Sequence, residues 1–586
     1  MPKHMEIVRI VESIVYTPTY FLLGVDDNKR IIYQSMEGGF NSIWAFDEKT
    51  RMRKRLSKIT IHWLGELSRD RRRIPFTRDT SHGKELQIVG FIDLNKDVEV
   101  TYEEMTPVRV LGIVDDGGKL FFAGASAEDV ALYVAEANGS VQKLLKLDTY
   151  VRVTSAFNGI VVGEGHLRRN PRSSEIFVYD YKTNELHVYT PLEGSTNKNP
   201  VILNNGKVLF ETNSITGDTG DLMVLDLEAG EFTKLRLPWK DYENYKPVEY
   251  LFYREFDGKL LLVGKKNGRS KIFVDGKMIE TPDGLILNAY LTNDRVYYTF
   301  TSFTKPMRIM VYHDSVNSEV IGAKLPSEIE ERLGNVEFAK IRSSDDLEVP
   351  TYIVKTNKRD TERPFVVYVH GGPWSEVADA WSPFVIVLVA AGYNVVAPNF
   401  RGSTGYGEKY RLMDIGDPGG GDLLDVEAVT KWGYEQGLGK GAFIWGYSYG
   451  GYMTLWSMFT KPDLFKCGVA GAPVADWEEM YELSDAVFKE FINILFDNKK
   501  ELLKERSPLH KLHNLKSPLA IIQPQNDTRT PLRPVLNLAY KLMEHGKTFQ
   551  LHVIPGIGHA ITNQDKIAEV LLYMLLFFEK CVEEVS

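Results

Sequence analysis

The sequence predicts a β-propeller of seven blades followed by an α/β domain built on a mainly parallel central sheet. Three observations carry this. From 20 to 325, short alternating apolar strands recur at an even spacing, and long helical patterns are absent. Past about 330, strands alternate with helices. The length, 586 residues, also exceeds what one hydrophobic core holds.

The first element is a helix. Ile7, Ile10, Val11, Ile14 and Val15 fall on one helical face, and Pro18 ends the run. An all-β propeller has no place for such a helix. Residues 1–19 are therefore expected to pack on the second domain, which gives two chain crossings between the domains.

From 20 to 325 one unit repeats, an apolar strand followed by a polar or Gly turn and another strand. Its copies begin at Ser42, Leu86, Val130, Ile176, Leu222, Ile272 and Ile309. They lie roughly 37 to 50 residues apart, about 44 on average, close to the length of a four-stranded blade. Turn-separated strands also suit an array of β-sandwiches, and the even period favours the propeller. No WD or kelch signature is present.

From 326 to 586, with the junction near Leu325-Pro326, strands are expected at 350–355, 365–370, 394–400, 442–446, 467–471, 519–523 and 549–554. Helices are expected between them, including 422–436, 532–545 and 565–579.

Composition narrows the function. Hydrophobic residues make up 43% and charged residues 25%, as in ordinary globular proteins. A net charge of −9 argues against nucleic acid or anionic membrane as the main partner. Cys467 and Cys581 make no disulfide framework, and no CxxC or paired-His spacing suggests a metal. Reducing cytoplasm is the expected compartment. Glu6, Arg9 and Glu12 interrupt any signal-peptide core, and the apolar runs 384–398 and 570–578 are too short to span a bilayer.

The chemistry is carried by Gly446-Tyr-Ser-Tyr-Gly-Gly451, which follows the apolar run Ala442-Phe-Ile-Trp445 and precedes a helix-compatible stretch. G-x-S-x-G between strand and helix is a nucleophile elbow of an α/β-hydrolase: the turn is so tight that small residues must flank the serine. A serine hydroxyl needs a base, and in this architecture the chain order is Ser, acid, His. His559, in Pro555-Gly-Ile-Gly-His, follows a strand directly and so reaches the edge that carries Ser448. His552 lies inside that strand, while His510, His513 and His545 read as helix-associated and solvated. Asp527 closes another buried strand at the same edge, with Asp485 as the alternative acid. Asp527 would hold the imidazole in the right tautomer. The oxyanion needs two donors, expected from the N–H of Tyr449 and from the loop His370-Gly-Gly-Pro373, Gly372 first and Gly371 next. No cofactor is required. Arg529 reads either as a donor to a substrate carbonyl or as a loop salt bridge. Trp477, Phe488, Phe491 and Ile492 supply apolar side chains between nucleophile and acid.

Ser448, Asp527, His559, the His-Gly-Gly-Pro loop, Asn399-Phe-Arg-Gly-Ser-Thr-Gly-Tyr-Gly407 and the preceding propeller together resemble the prolyl oligopeptidase family of serine peptidases. The segments 446–453, 476–485 and 524–531 are most similar to archaeal acylaminoacyl peptidases, which also begin with a helix packed on the hydrolase domain. The resemblance implies release of N-acylated amino acids from short peptides, with side esterase activity. It implies an apolar pocket at Phe384, Val474, Trp477, Phe488, Phe491 and Ile492, and a substrate-carbonyl role for Arg529. It also implies a homo-oligomer, a dimer or higher. Dipeptidyl peptidases of the family bind a free amino terminus with paired propeller glutamates, which Tyr102-Glu-Glu104 matches only in part. Other readings are a further oligopeptidase or dipeptidyl peptidase, a carboxylesterase, and a propeller scaffold with a vestigial hydrolase.

Overall fold

In the computed structural model, which describes residues 3–147, 149–237, 245–358 and 362–585, seven four-stranded antiparallel sheets precede one eight-stranded sheet. The seven small sheets are blades, each built from four consecutive strands, running from Phe21–Val25 to Val316–Ile321. Each of the seven repeat units expected from the sequence coincides with the third strand of its blade, from Ser42–Phe46 to Lys305–His313. In blades one to five the third strands are buried at most positions, which makes their apolar runs legible.

No strand is exchanged between the first and last blades. The ring is joined instead where the Leu22 N–H donates to Thr299 Oγ1 (2.9 Å) and Asn288 Nδ2 donates to the Leu22 carbonyl (2.7 Å). A cavity of about 450 Å³ lies among the innermost strands, bordered by Leu22, Val114, Ala156, Val201, Phe252 and Ala289. No residue of the G-x-S-x-G turn or of the loops carrying Asp527 and His559 borders it.

The first helix, α1 (Lys3–Val15), buries all five side chains of its predicted apolar face. They join one core with the C-terminal part of the chain. Tyr16 Oη donates to Asp565 (2.6 Å), which pushes the phenol up to about 12, and Gln564 Nε2 donates to the Val15 carbonyl (2.9 Å).

The large sheet comprises β1 (Leu333–Arg342), β2 (Glu348–Thr356), β3 (Phe365–Val369), β4 (Val395–Pro398), β5 (Ala442–Tyr447), β6 (Cys467–Gly471), β7 (Leu519–Pro524) and β8 (Phe549–Ile554). Their spatial order is β1-β2-β4-β3-β5-β6-β7-β8, and only β2 runs against the others. β3 to β8 therefore end at one edge, where ligands bind in open parallel sheets. Two apolar layers cover the sheet. One contains α1, α2 (Pro383–Ala390) and the C-terminal helix Gln564–Val585. The other contains α3 (Gly421–Glu435), α4 (Tyr449–Thr460), α5 (Trp477–Leu483), α6 (Ala486–Leu495) and α7 (Leu532–Glu544). The C-terminal helix, α8, is tied to β6 by a disulfide between Cys467 and Cys581 that closes a span of 114 residues. The expectation of a reducing compartment rested on cysteine number alone, and a bonded pair removes that ground. No helix among the described residues is long and apolar enough to cross a membrane.

Candidate active site

The elbow is visible in the backbone. Ser448 sits at φ 64°, ψ −122°, a conformation that L-residues adopt only where their surroundings impose it. The imposition comes from both sides: the Ser448 N–H donates to the Gly471 carbonyl (2.9 Å), and α4 begins at the next residue. Small residues are obligatory here. A Cβ on Gly446 would strike the Gly450 backbone, and one on Gly450 would strike the Val369 carbonyl.

His559 Nε2 lies 2.9 Å from Ser448 Oγ, and His559 Nδ1 lies 2.7 Å from Asp527 Oδ2. Asp527 is fixed in turn. Its Oδ1 accepts from the N–H groups of Arg529 and Thr530 (both 2.9 Å), and its Oδ2 accepts from Thr530 Oγ1 (2.9 Å). Tyr447 Oη donates to the His559 carbonyl (3.0 Å), which holds the histidine loop against the elbow. The structure thus brings together three side chains placed on three loops by β5, β7 and β8. The alternative acid, Asp485, is instead the N-cap of α6 and pairs with Arg109 (2.6 Å). His552 stacks on Tyr573, half-buried in its strand.

Gly371 follows β3, whose Val369 pairs with Gly446. A Cβ on Gly371 would stand 3.3 Å from Ser448 Cβ, so this loop lies directly beside the elbow. Tyr449 is the first residue of α4, where helix N–H groups have no intrahelical acceptor. Its Oη donates to buried Asp422 (2.6 Å), and burial raises that carboxyl to about 6.

Of the expected pocket residues, Val474, Trp477 and Ile492 are fully buried in the α3–α7 layer, with Trp477 packed edge-on against Tyr452 and Phe496. Phe488 and Phe491 are only half-buried and stand 5.9 Å apart. Trp374 packs edge-on to Phe491 at 5.5 Å. Sequence reasoning missed Trp374, although it directly follows the His-Gly-Gly-Pro loop. Phe384 lies apart from these, on the α1 side of the sheet, against Trp445 and Tyr447.

The propeller reaches this site through the turn between the second and third strands of blade two. Its Glu85 is 1% exposed, and a carboxylate so buried needs partners. Arg529 donates to it through Nε (2.9 Å) and Nη2 (2.6 Å), and Arg109 Nη1 joins the same carboxylate. Arg109 also donates to Thr528 Oγ1 (2.9 Å), and both guanidiniums approach the Phe488 ring. His62, 3.6 Å from Glu85, is pushed down to about 4 by burial and adds no charge near neutrality. Glu103 and Glu104, by contrast, are exposed beyond the fourth strand of that blade, where Glu103 pairs with Arg78 (2.6 Å).

The same turn presses on the histidine loop. A Cβ on Gly558 would overlap the Gly83 carbonyl, and one on Gly83 would overlap the Gly558 N–H. Gly558→Ala is therefore expected to displace the loop that ends in His559. A shift of about 1 Å costs on the order of 10²-fold in kcat/KM. Circular dichroism would establish that folding is retained. Wild-type turnover would show that the two turns part freely.

Fold and site together define a two-domain α/β-hydrolase capped by a propeller. Residues 32–310 match the family model of the acylamino-acid-releasing enzyme-like N-terminal domain, and residues 381–585 match that of the prolyl oligopeptidase family. The catalytic part of the chain thus belongs to the prolyl oligopeptidase family. It is 34% identical over 182 residues to dipeptidyl aminopeptidase BIII of Pseudoxanthomonas mexicana, covering 29% of this chain and 26% of that protein. It is 26% identical over 253 residues to acylamino-acid-releasing enzyme 1 of Oryza sativa subsp. japonica, covering 40% of this chain and 32% of that protein. Both alignments thus span a third or less of the relatives' lengths. Acylaminoacyl peptidase of Pyrococcus horikoshii shares the fold along 97% of both chains, with a TM-score of 0.72 at 18% identity.

Proposed function

We propose that this protein releases N-acylated amino acids from the amino ends of short peptides through a Ser-His-Asp acyl-enzyme mechanism, with esterase activity as a side reaction. Ser448 Oγ attacks the carbonyl while His559 Nε2 takes its proton, and Asp527 stabilises the imidazolium. The N–H groups of Gly372 and Tyr449 hold the oxyanion. His559 then protonates the leaving amine, and water, activated by the same imidazole, releases the acylated residue. Phe488, Phe491 and Trp374 wall the pocket for the side chain before the cut bond, with Val474, Trp477 and Ile492 packed behind them. Phe384 acts from the far side, by backing Tyr447.

The observation that carries the acyl preference is the state of Glu85. It is the propeller carboxylate that reaches the site, and two guanidiniums already occupy it. A free ammonium would find that carboxylate already taken by two guanidiniums, whereas an acylated amino end brings no charge. Arg529, gripped by Glu85, offers its remaining nitrogen to a substrate carbonyl. The relative named a dipeptidyl aminopeptidase keeps the contrary reading open to test. Matched peptides with acetylated and free amino ends separate the two. The acetylated series is expected to have the higher kcat/KM by tenfold or more, about 1.4 kcal/mol of discrimination. Faster cleavage of the free series, two residues at a time, would hand the site to the dipeptidyl reading.

A further inference from the structure

We infer that His370 is a positioning residue for the oxyanion site: by holding the Gly371 carbonyl, its ring aims the Gly372 N–H at the acyl oxygen. The inference rests on the reading of Ser448 as nucleophile and Gly372 as donor.

The geometry is local. His370 is 3% exposed, with Nδ1 2.7 Å from the Gly371 carbonyl oxygen and Nε2 2.8 Å from Ser403 Oγ. Burial pushes the imidazole down to about 4, so the ring is neutral above pH 5 and carries one proton. A carbonyl cannot donate, which places that proton on Nδ1. Ser403 then donates, its proton shared between Nε2 and the Phe400 carbonyl at 2.6 Å.

The Gly371 carbonyl and the Gly372 N–H belong to one trans peptide, so they point in opposite directions from a single plane. Drawing the oxygen toward the buried imidazole turns the N–H the other way, toward the Ser448 side. Glycine leaves its own dihedrals free, so the plane depends on that bond. Gly372 itself sits at φ 126°, which favours glycine.

The ring is fixed in turn. It stacks on Phe400 at 4.3 Å and 14°, and Phe400 lies 6.0 Å from Tyr449 in a second, looser stack. Tyr449 supplies the other proposed donor and is tethered by Asp422. The two donors are thus set at opposite ends of one aromatic layer, His370–Phe400–Tyr449. That is the preorganisation an oxyanion site requires, because the donors must be in place before charge develops.

Amide substitutions separate positioning from packing. An asparagine amide nitrogen sits where Nδ1 does, and a glutamine amide nitrogen sits where Nε2 does. Expected kcat losses are 10²–10³-fold for His370→Ala, the range for removing one oxyanion donor, with KM changed less than about threefold. His370→Asn is expected to recover at least tenfold of that loss and His370→Gln none. Affinity for a peptide boronic acid should fall in parallel with kcat, because it too needs the donor, while affinity for the acylated product should not. Equal recovery by the two amides, or a loss confined to KM, would overturn the inference. If the Ala variant does not fold, Ser403→Ala serves: about a tenfold fall in kcat supports the assignment, and unchanged kcat overturns it. Fluorophosphonate labelling of the unmodified protein reads the underlying assignment separately. No label on Ser448 would sink the nucleophile itself, whereas a labelled wild type with fully active His370 variants would sink only the positioning role.

Discussion

Ser448→Ala is expected to lower kcat by roughly 10⁴–10⁶-fold, the range found when a triad nucleophile is removed. The change deletes one oxygen, and its only described partner is His559 Nε2 at 2.9 Å. The unusual backbone at φ 64° is imposed by the Gly471 carbonyl and by the start of α4, neither of which involves the hydroxyl. Alanine adopts that conformation at the same cost as serine, so the thermal midpoint should stay within a few degrees of the parent. KM is expected to hold, because the walls at Phe488, Phe491 and Trp374 are untouched. A nitroanilide of an acylated amino acid gives the rate, and circular dichroism gives the fold. Turnover within tenfold of the parent, in protein free of wild-type carry-over, would mean that another group attacks. The same variant must also fail to label with a fluorophosphonate.

The chain disclosed some features of this site and withheld others, and the division has a physical cause. Periodicity reports burial. The third strands of the first five blades and the face of α1 stand out because they are largely buried, and β1 (Leu333–Arg342) escapes notice because it is an edge strand with most of its side chains at least partly in solvent. Chain order reports the sheet edge. Ser448, Asp527 and His559 each come directly after a strand, and parallel strands deliver their C-terminal loops to one side. Resemblance to a family does not report which face of a sheet a side chain covers in this chain, so it groups Phe384 with Phe488 and Phe491 although Phe384 packs in the opposite layer. Nor does it report partners that arrive from another domain. Glu85 and Arg109 lie in a propeller whose local pattern explains their strands but not their charges, and Glu85 meets Arg529 across 444 residues of chain. The visible glutamates, Glu103 and Glu104, are on the outer side of the blade.

The second large effect is expected at the acid. Asp527→Asn should lower kcat by about 10⁴-fold, because an amide in place of the carboxylate reverses the proton on the imidazole. In the parent, Asp527 Oδ2 can only accept, so the proton of neutral His559 is drawn to Nδ1 and Nε2 is left as the base toward Ser448. Asp527 Oδ1 accepts from the N–H groups of Arg529 and Thr530, which keep the oxygen of an asparagine in that place and turn its NH₂ toward the ring. Nδ1 then accepts, Nε2 carries the proton, and Ser448 faces a donor where it needs a base. Thr530 Oγ1, which approaches both Asp527 Oδ2 (2.9 Å) and His559 Nδ1 (3.3 Å), can accept or donate and restores only a fraction of the right tautomer. KM should again change little, and the fall should persist across neutral pH, since the fault is where the proton sits rather than how many are bound. A variant that turns over within tenfold of the parent at neutral pH would remove the tautomer from the account of Asp527.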